Sequence, residues 1–230
     1  MIVSKSASGT QGWIEERSGV LSASELGELV KLDFSLRQGE GVQTLLARKL
    51  AEKWAGPLTS TGGGGFAGSW AMEQGQILET QAVPWLEFAH GVTVERPGFL
   101  MTDDKTFGAT PDGIIGGDTG LEIKCFQPVN HVRTLLDGEV PREHLAQIHG
   151  GLYVTGFQKW QFLAYNRSFP KLLLTVERDE EICARIASAV DWFNEYLDKS
   201  YARLVDMNGG EPPKREPMQF ASDYVSELPT

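Results

Sequence analysis

The strongest constraint on the fold is the glycine-rich segment 116–120 (GGDTG). Its composition is that of a hairpin turn, and the apolar run 121–125 (LEIKC) that follows has strand character. Side chains alternate faces along a strand, so Glu122 and Lys124 are predicted to point the same way. The hairpin would also bring the carboxylate of Asp112, which lies in a Pro-Asp-Gly turn, close to Glu122.

Two carboxylates and a lysine at one strand end suit a hard divalent cation and a water that must lose a proton. The same residues also have a purely structural interpretation. A Pro-Asp-Gly sequence is a common turn, and a Glu-x-Lys pair on a strand is often solvated and contributes under ~1 kcal/mol. Taken alone, the spacing from Asp112 to Lys124 therefore leaves both interpretations open.

Further stretches occur in the order in which one nuclease family carries them. They are residues 16–25 (ERSGVLSASE), 75–79 (GQILE), 111–113 (PDG), 121–125 (LEIKC) and 145–147 (LAQ). From about Trp13 to Leu204 the chain resembles the PD-(D/E)xK nucleases, and most closely the phage-type alkaline exonucleases (the lambda exonuclease, or YqaJ-like, family). The resemblance implies an α/β fold with a restriction-endonuclease-like core, in which helices flank a mixed central sheet. The residue pattern by itself predicts only mixed α and β structure in one domain over residues 1–230, and the resemblance implies that this is a nuclease domain.

The resemblance also implies catalytic roles. Asp112 would bridge two Mg²⁺ ions, for which Mn²⁺ substitutes, and Lys124 would orient or deprotonate the attacking water. The remaining positions that match the family are the metal ligands Glu122, Ile123 (through its carbonyl) and Glu79, and the active-site glutamine, Gln147.

Recognition of a 5′-phosphate is implied for a second group, Arg17, Ser24 and Thr110. Ser22 and Glu25 form a capping-box pattern, which predicts a helix N-terminus here and explains those two residues without any function. An arginine that the family often has just after the lysine is missing. Either Arg133 or His131 must replace it, or the preference for a phosphorylated end is weaker.

The activity implied is 5′-to-3′ digestion of one strand of linear double-stranded DNA to 5′-mononucleotides, which leaves a 3′ strand for recombination by annealing. The resemblance further implies a ring-shaped homotrimer, a single-strand annealing protein as partner, and a phage or prophage protein in the bacterial cytoplasm. Two alternatives stay open: an endonuclease with the same fold, and a non-catalytic module that binds metal or nucleic acid.

The composition adds limits and one objection. The formal net charge of −10 is unusual for a DNA enzyme, unless bound cations and a locally basic face offset it. Two cysteines indicate no disulfide framework, and no apolar stretch approaches the ~20 residues of a membrane span or resembles a signal peptide. We expect residues 1–12 to be frayed, residues 62–65 (GGGG) to lie in a mobile loop, and residues 208–230 to form a tail or arm.

Overall fold

The structure, a computed structural model, describes residues 1–58 and 70–213, with residues 70–79 described as helix backbone only. Two sheets and a set of helices make up this part of the chain. The strands are β1 (Ile2–Val3), β2 (Leu21–Ser22), β3 (Val94–Glu95), β4 (Leu100–Met101), β5 (Phe107–Ala109), β6 (Gly113–Ile115), β7 (Thr119–Lys124), β8 (Lys159–Ala164) and β9 (Leu172–Glu177). The helices are α1 (Gln11–Arg17), α2 (Leu26–Leu29), α3 (Glu40–Ala55), α4 (Trp70–His90), α5 (Pro128–Asp137), α6 (Arg142–Thr155) and α7 (Glu180–Asn208).

A five-stranded mixed sheet in the order β3-β6-β7-β8-β9 carries the hairpin that the glycine-rich turn predicts. Gly113 pairs with Leu121 and Ile115 with Thr119, so β6 and β7 are antiparallel, whereas β7 and β8 run parallel. The turn is tighter than predicted, because Thr119 already belongs to β7. Gly116 and Gly117 make this tight turn possible, since both have the positive φ angles (61° and 81°) that glycine adopts without strain.

A second, four-stranded sheet has the order β1-β4-β5-β2 and corrects the expectation of a frayed N-terminus. Ile2 pairs with Met101, and the Ser4 amide donates to the Phe99 carbonyl at 2.8 Å. Thr10 then caps α1, because its hydroxyl accepts from the Trp13 amide at 3.4 Å. Residues 2–4 are therefore held by backbone pairing with a segment far along the chain, which local composition does not reveal.

Helix α6 lies at the centre of the packing, where two glycines allow close contact. A Cβ atom on Gly151 would lie 2.4 Å from the Trp160 ring of β8, and one on Gly150 would lie 2.9 Å from the Ala23 side chain. Only a hydrogen atom fits at either position, so α6 packs tightly between β8 and the start of α2. Paired glycines inside a predicted helix indicate close packing against a strand, and the contact between Gly151 and Trp160 confirms this prediction.

The fold class predicted from the resemblance is confirmed: helices flank a mixed sheet, with the four-stranded sheet as an addition. The helix whose start the capping box predicts begins with a 3-10 turn over residues 23–25, and its α-helical part, α2, ends at Leu29. Within the described ranges, no helix is long and apolar enough to cross a membrane. The glycine run at 62–65 and residues 214–230 of the predicted tail lie outside the described part of the chain.

Candidate active site

Asp112 follows β5 at the point where the chain turns into the hairpin. Its amide donates to the Leu121 carbonyl at 3.0 Å, and its Oδ2 accepts from the Ile123 amide at 2.6 Å. Burial raises the pKa of the Asp112 carboxyl, while the Ile123 amide and the charges of Lys124 and Arg96 act in the opposite direction. The carboxylate is thus fixed against β7 in surroundings that favour either a proton or a nearby cation.

Glu122 and Lys124 lie on the same face of β7, as the alternation of side chains predicts. Lys124 Nζ lies 2.6 Å from Glu122 Oε1, and Glu122 is only 2% exposed. Ile123, between them, faces the hydrophobic core and is 2% exposed. The Glu122 carboxylate is therefore buried, whereas 27% of the Lys124 side chain is exposed, so the pair differs from the fully solvated pair of the structural interpretation.

A cavity of about 230 Å³ brings together three of the residues predicted for catalysis and three of those predicted for phosphate binding, whereas Lys124 is not among the residues that line it. Its walls come from α1, the turn after β2, the β5–β6 junction, β7 and α6. The predicted residues that line it are Arg17, Ser24, Thr110, Asp112, Glu122 and Gln147.

Arg17 lies at one side of this cavity, with its guanidinium carbon 4.2 Å from the centre of the Trp13 ring and 5.6 Å from that of Phe99. Burial lowers the pKa of Arg17, although the charges of Glu25 and Glu52 oppose the shift. Within the described residues, no acceptor forms a hydrogen bond or ion pair with this guanidinium. A partly desolvated arginine with free donors beside a cavity is suited to an anion, and most of all to a phosphate.

Ser24 and Thr110 add hydroxyl groups to the same wall. The Ser24 Oγ lies 3.1 Å from that of Ser22, and Thr110 accepts from the indole N–H of Trp13 at 3.3 Å. The helix N-terminus that the capping box predicts would offer unpaired backbone N–H groups to an anion. Because α2 has only four residues, its dipole is short, and the side chains must supply the attraction.

Arg133 and His131 do not lie in this cavity. His131 is fully buried, with Nε2 2.8 Å from the Pro170 carbonyl oxygen and its ring against Phe169, so no phosphate reaches it in this structure. Arg133 is exposed on α5 and lines a different cavity of about 650 Å³ beside Arg142. The expected replacement for the missing family arginine is thus not found at either position.

The donors at the site are those that a hard cation prefers. Glu79 lies in α4, but its side chain falls outside the described residues, so its predicted role as a ligand stays a prediction. Among the described side chains, no cluster of three or more His, Cys, Asp or Glu residues could hold a metal. Asp112 and Glu122 nevertheless fit Mg²⁺, which is often bound by one or two carboxylates together with waters and substrate phosphates. A cation would also offset the cost of burying these carboxylates.

Two tryptophans that line the cavity were not predicted from the sequence. Trp13 holds both Thr110 and Arg17 in place, and Trp160 of β8 packs beneath α6. The four-residue spacing from Trp13 to Arg17 on α1 is the one local signal that could have indicated the first, since residues so spaced face the same side of a helix.

Solved structures define the class of fold first. The chain aligns with an alkaline exonuclease (LHK-Exo) from Laribacter hongkongensis at a TM-score of 0.77 and 24% identity, over 87% of this chain and 98% of that chain. A structure of LHK-Exo in complex with dAMP gives the same values. A phage related exonuclease from Haemophilus somnus 129PT aligns at a TM-score of 0.58 and 12% identity, over 80% of this chain and 96% of that chain. The fold is thus the restriction-endonuclease-like fold of alkaline exonucleases.

The family follows from the sequence itself. A model of the YqaJ-like viral recombinase domain matches residues 12–158, and the chain belongs to that family. The resemblance read from the ordered motifs is thereby confirmed. The comparison with curated proteins finds no match.

Proposed function

We propose that this protein is a metal-dependent nuclease that digests one strand of linear double-stranded DNA from its 5′ end and releases 5′-mononucleotides. One observation carries the proposal: a single cavity contains both the Asp112 and Glu122 carboxylates and the guanidinium of Arg17, for which the described part of the chain provides no hydrogen-bond acceptor. The first pair suits phosphodiester hydrolysis, and the arginine suits a terminal phosphate. The relatives support the same activity, since two of them are exonucleases and one was solved with the mononucleotide dAMP.

Asp112 and Glu122 are the carboxylates that would hold Mg²⁺. The carbonyl of Ile123 would add an oxygen to the Glu122 side, and Glu79 on α4 would serve the second ion. When bound, Mg²⁺ supplies an activated water and stabilises charge on the leaving 3′ oxygen, and Mn²⁺ has the same preference for oxygen ligands.

Lys124 would orient the attacking water or help to deprotonate it. Its Nζ lies 2.6 Å from Glu122 Oε1, so the amine is kept at the edge of the carboxylate pair. Gln147, on α6, lines the same cavity and offers an amide that can hydrogen-bond a substrate oxygen beside the carboxylates.

The end of the DNA is recognised by Arg17, Ser24 and Thr110. A guanidinium can bind two phosphate oxygens at once, and the two hydroxyl groups can each donate one hydrogen bond. Because these groups line the same small cavity as the carboxylates, a bound terminal phosphate keeps the reacting bond close to the end. Cleavage there removes a mononucleotide, and the polarity is 5′ to 3′.

The wider setting is proposed from the family. The product, a duplex with a 3′ single strand, is the substrate of strand annealing, so the partner is a single-strand annealing protein in a phage or prophage recombination system of the bacterial cytoplasm. A homotrimer that encloses the duplex accounts for a net charge of −10, because three basic faces can line a channel while the acidic surfaces face solvent.

The decisive test compares linear duplex that carries 5′-phosphates with covalently closed circular duplex, each incubated with Mg²⁺. We expect complete digestion of the linear DNA and no cleavage of the circle. Nicking or linearisation of the circle would show instead that the protein is an endonuclease of the same fold. If calorimetry detected Mg²⁺ binding but neither DNA were hydrolysed, the protein would be a non-catalytic binding module.

A further inference from the structure

Behind the phosphate-binding wall lies a buried ionic cluster that no catalytic role requires. Lys49, on α3, is 4% exposed, and its Nζ lies 2.8 Å from Glu25 Oε1 and 2.9 Å from Glu52 Oε2. Burying a lysine is costly, and two carboxylates at this distance offset that cost. We name these three residues, Glu25, Lys49 and Glu52, the buried triad.

One arm of the buried triad reaches the segment that carries Ser24. Glu25 Oε2 accepts from the Ser22 amide at 3.0 Å and from the Ser22 hydroxyl at 2.7 Å. The Ser22 Oγ in turn lies 3.1 Å from the Ser24 Oγ, which faces the cavity. Burial favours a higher pKa for Glu25, but the charge and hydrogen bond of Lys49 and the Ser22 bonds outweigh it, so the carboxyl stays ionised.

The other arm reaches the segment that carries Arg17. Glu52 Oε2 accepts from the Gly19 amide at 3.0 Å, and the Glu52 carbonyl accepts from the Ser18 hydroxyl at 3.3 Å. Gly19 has a φ of +76°, and a Cβ there would lie 3.3 Å from Lys53 Cβ, so this turn lies directly on α3. The turn begins immediately after Arg17, which ends α1.

We propose that Lys49 is a positioning residue for recognition of the 5′-phosphate, an inference that rests on the proposed function. Its ammonium holds the two carboxylates that fix residues 18–22, and this short segment connects Arg17 to Ser24. Lys49 lines an adjacent cavity of about 170 Å³ that shares Trp13 and Arg17 with the site, but it does not line the catalytic cavity itself. It therefore acts through its partners and not on the DNA.

Removing the ammonium would leave Glu52 without its Lys49 partner and Glu25 with Arg48, whose Nη2 lies 3.3 Å from Glu25 Oε1, so two carboxylates would share a space with one cation fewer. They would repel or take up water or protons, and either change loosens the bonds to Ser22 and Gly19. Arg17 and Ser24 would then no longer converge on one phosphate. Ground-state binding of the phosphorylated end would weaken, while Asp112, Glu122 and Lys124, on other elements, would stay in place.

The test uses Lys49→Met, with Lys49→Arg as the conservative variant and Lys53→Met as the matched control. Lys53 lies on the same helix but pairs with the exposed Asp198 at 2.7 Å. In Lys49→Met we expect the KM for 5′-phosphorylated duplex to rise about tenfold or more, as for a lost charge-assisted bond, with kcat changed less than about threefold. The KM for 5′-hydroxyl duplex should hardly change, and Lys49→Arg should restore most of the loss. Lys53→Met should behave as the wild type.

Hydrogen exchange measured by mass spectrometry provides a second readout that needs no nuclease activity. The amides of Gly19 and Ser22 should exchange faster in Lys49→Met, while those of β7 keep their protection. Equal losses on both DNA ends, or unchanged exchange over residues 18–22, would overturn the positioning role. If the wild type itself hydrolysed no DNA, the proposed function would fail, and the exchange experiment would still decide whether Lys49 fixes this segment.

Discussion

Replacing Glu122 by glutamine tests the carboxylate site with little change in shape. Glutamine retains the volume and one carbonyl oxygen for Lys124 Nζ, which lies 2.6 Å away in the wild type, so the packing around β7 should survive. What disappears is one negative charge at a position that is only 2% exposed. We therefore expect the thermal midpoint to change by only a few degrees, because no cavity forms and the hydrogen bond can persist.

The expected kinetic effect is large. Metal-ion stabilisation of the transition state amounts to several kcal/mol, and each 1.36 kcal/mol is a factor of ten in rate. Loss of about 2.7 kcal/mol gives a ~10²-fold lower kcat, which we take as the minimum effect of Glu122→Gln. Release of acid-soluble nucleotide from linear duplex, measured across Mg²⁺ concentrations, should show this drop.

The matched control is Asp118→Asn, on the same hairpin. Asp118 is exposed at the turn, where its carboxylate accepts from the Thr119 hydroxyl at 3.0 Å, and no role at the metal site is assigned to it. Its substitution removes the same single negative charge as Glu122→Gln. Its turnover should equal that of the wild type. Near-normal turnover by Glu122→Gln, or an equal loss in both variants, would refute the metal-site assignment.

Three further predictions concern the DNA end, pH and assembly. Arg17→Ala should lower kcat/KM at least about tenfold more on 5′-phosphorylated than on 5′-hydroxyl duplex, because a charge-assisted bond contributes roughly 1.5–3 kcal/mol; an equal loss would assign Arg17 to structure. Burial and the charge of Lys124 lower the pKa of His144 from 6.5 to about 4. Between pH 4 and 6.5 the unfolded chain therefore binds more protons than the folded protein, and the free energy of unfolding falls as the pH drops through this range. In urea titrations His144→Gln should lose less stability over this range than the wild type, and identical slopes would contradict the shift. Light scattering should report about three times the 25.3 kDa chain mass, whereas a monomer that digests long duplex processively would exclude the ring.

The local part of the site could be predicted from the sequence because its residues are close in the chain. The glycine-rich turn and the two-residue alternation fix the hairpin, and these place Asp112, Glu122 and Lys124 together without any knowledge of the rest. The continuous apolar run 172–176 (LLLTV) predicts a strand that is buried on both faces, and for β9 this prediction is wrong. It is an edge strand of its sheet, and most of its residues are half-exposed. A continuous apolar run does not reveal which strands have only one neighbour.

The phosphate-binding wall is built from long-range contacts, and the spacing from Trp13 to Arg17 is its one local signal. The indole of Trp13 reaches Thr110 across 97 residues, and no periodicity in the sequence predicts that contact. Arg17 and Ser24 were identified through the family resemblance alone. The same resemblance led to the expectation that His131 or Arg133 binds the phosphate. For His131 this expectation failed, because His131 lies on the buried side of α5, whereas Leu136 on the same helix is 82% exposed. In α5 a histidine is buried and a leucine is exposed, so the positions of its apolar residues do not predict which side of the helix faces the core.

The most direct test of the central claim is the identity of the products formed from 5′-phosphorylated linear duplex. Mass spectrometry should detect 5′-mononucleotides with the wild type and Mg²⁺, none with a chelator, and none with Asp112→Asn, whose amide oxygen can still accept the Ile123 hydrogen bond of 2.6 Å. The labelled 5′ terminal nucleotide should be released first. Release of oligonucleotides, release from the 3′ end, or undiminished hydrolysis by Asp112→Asn would contradict the account.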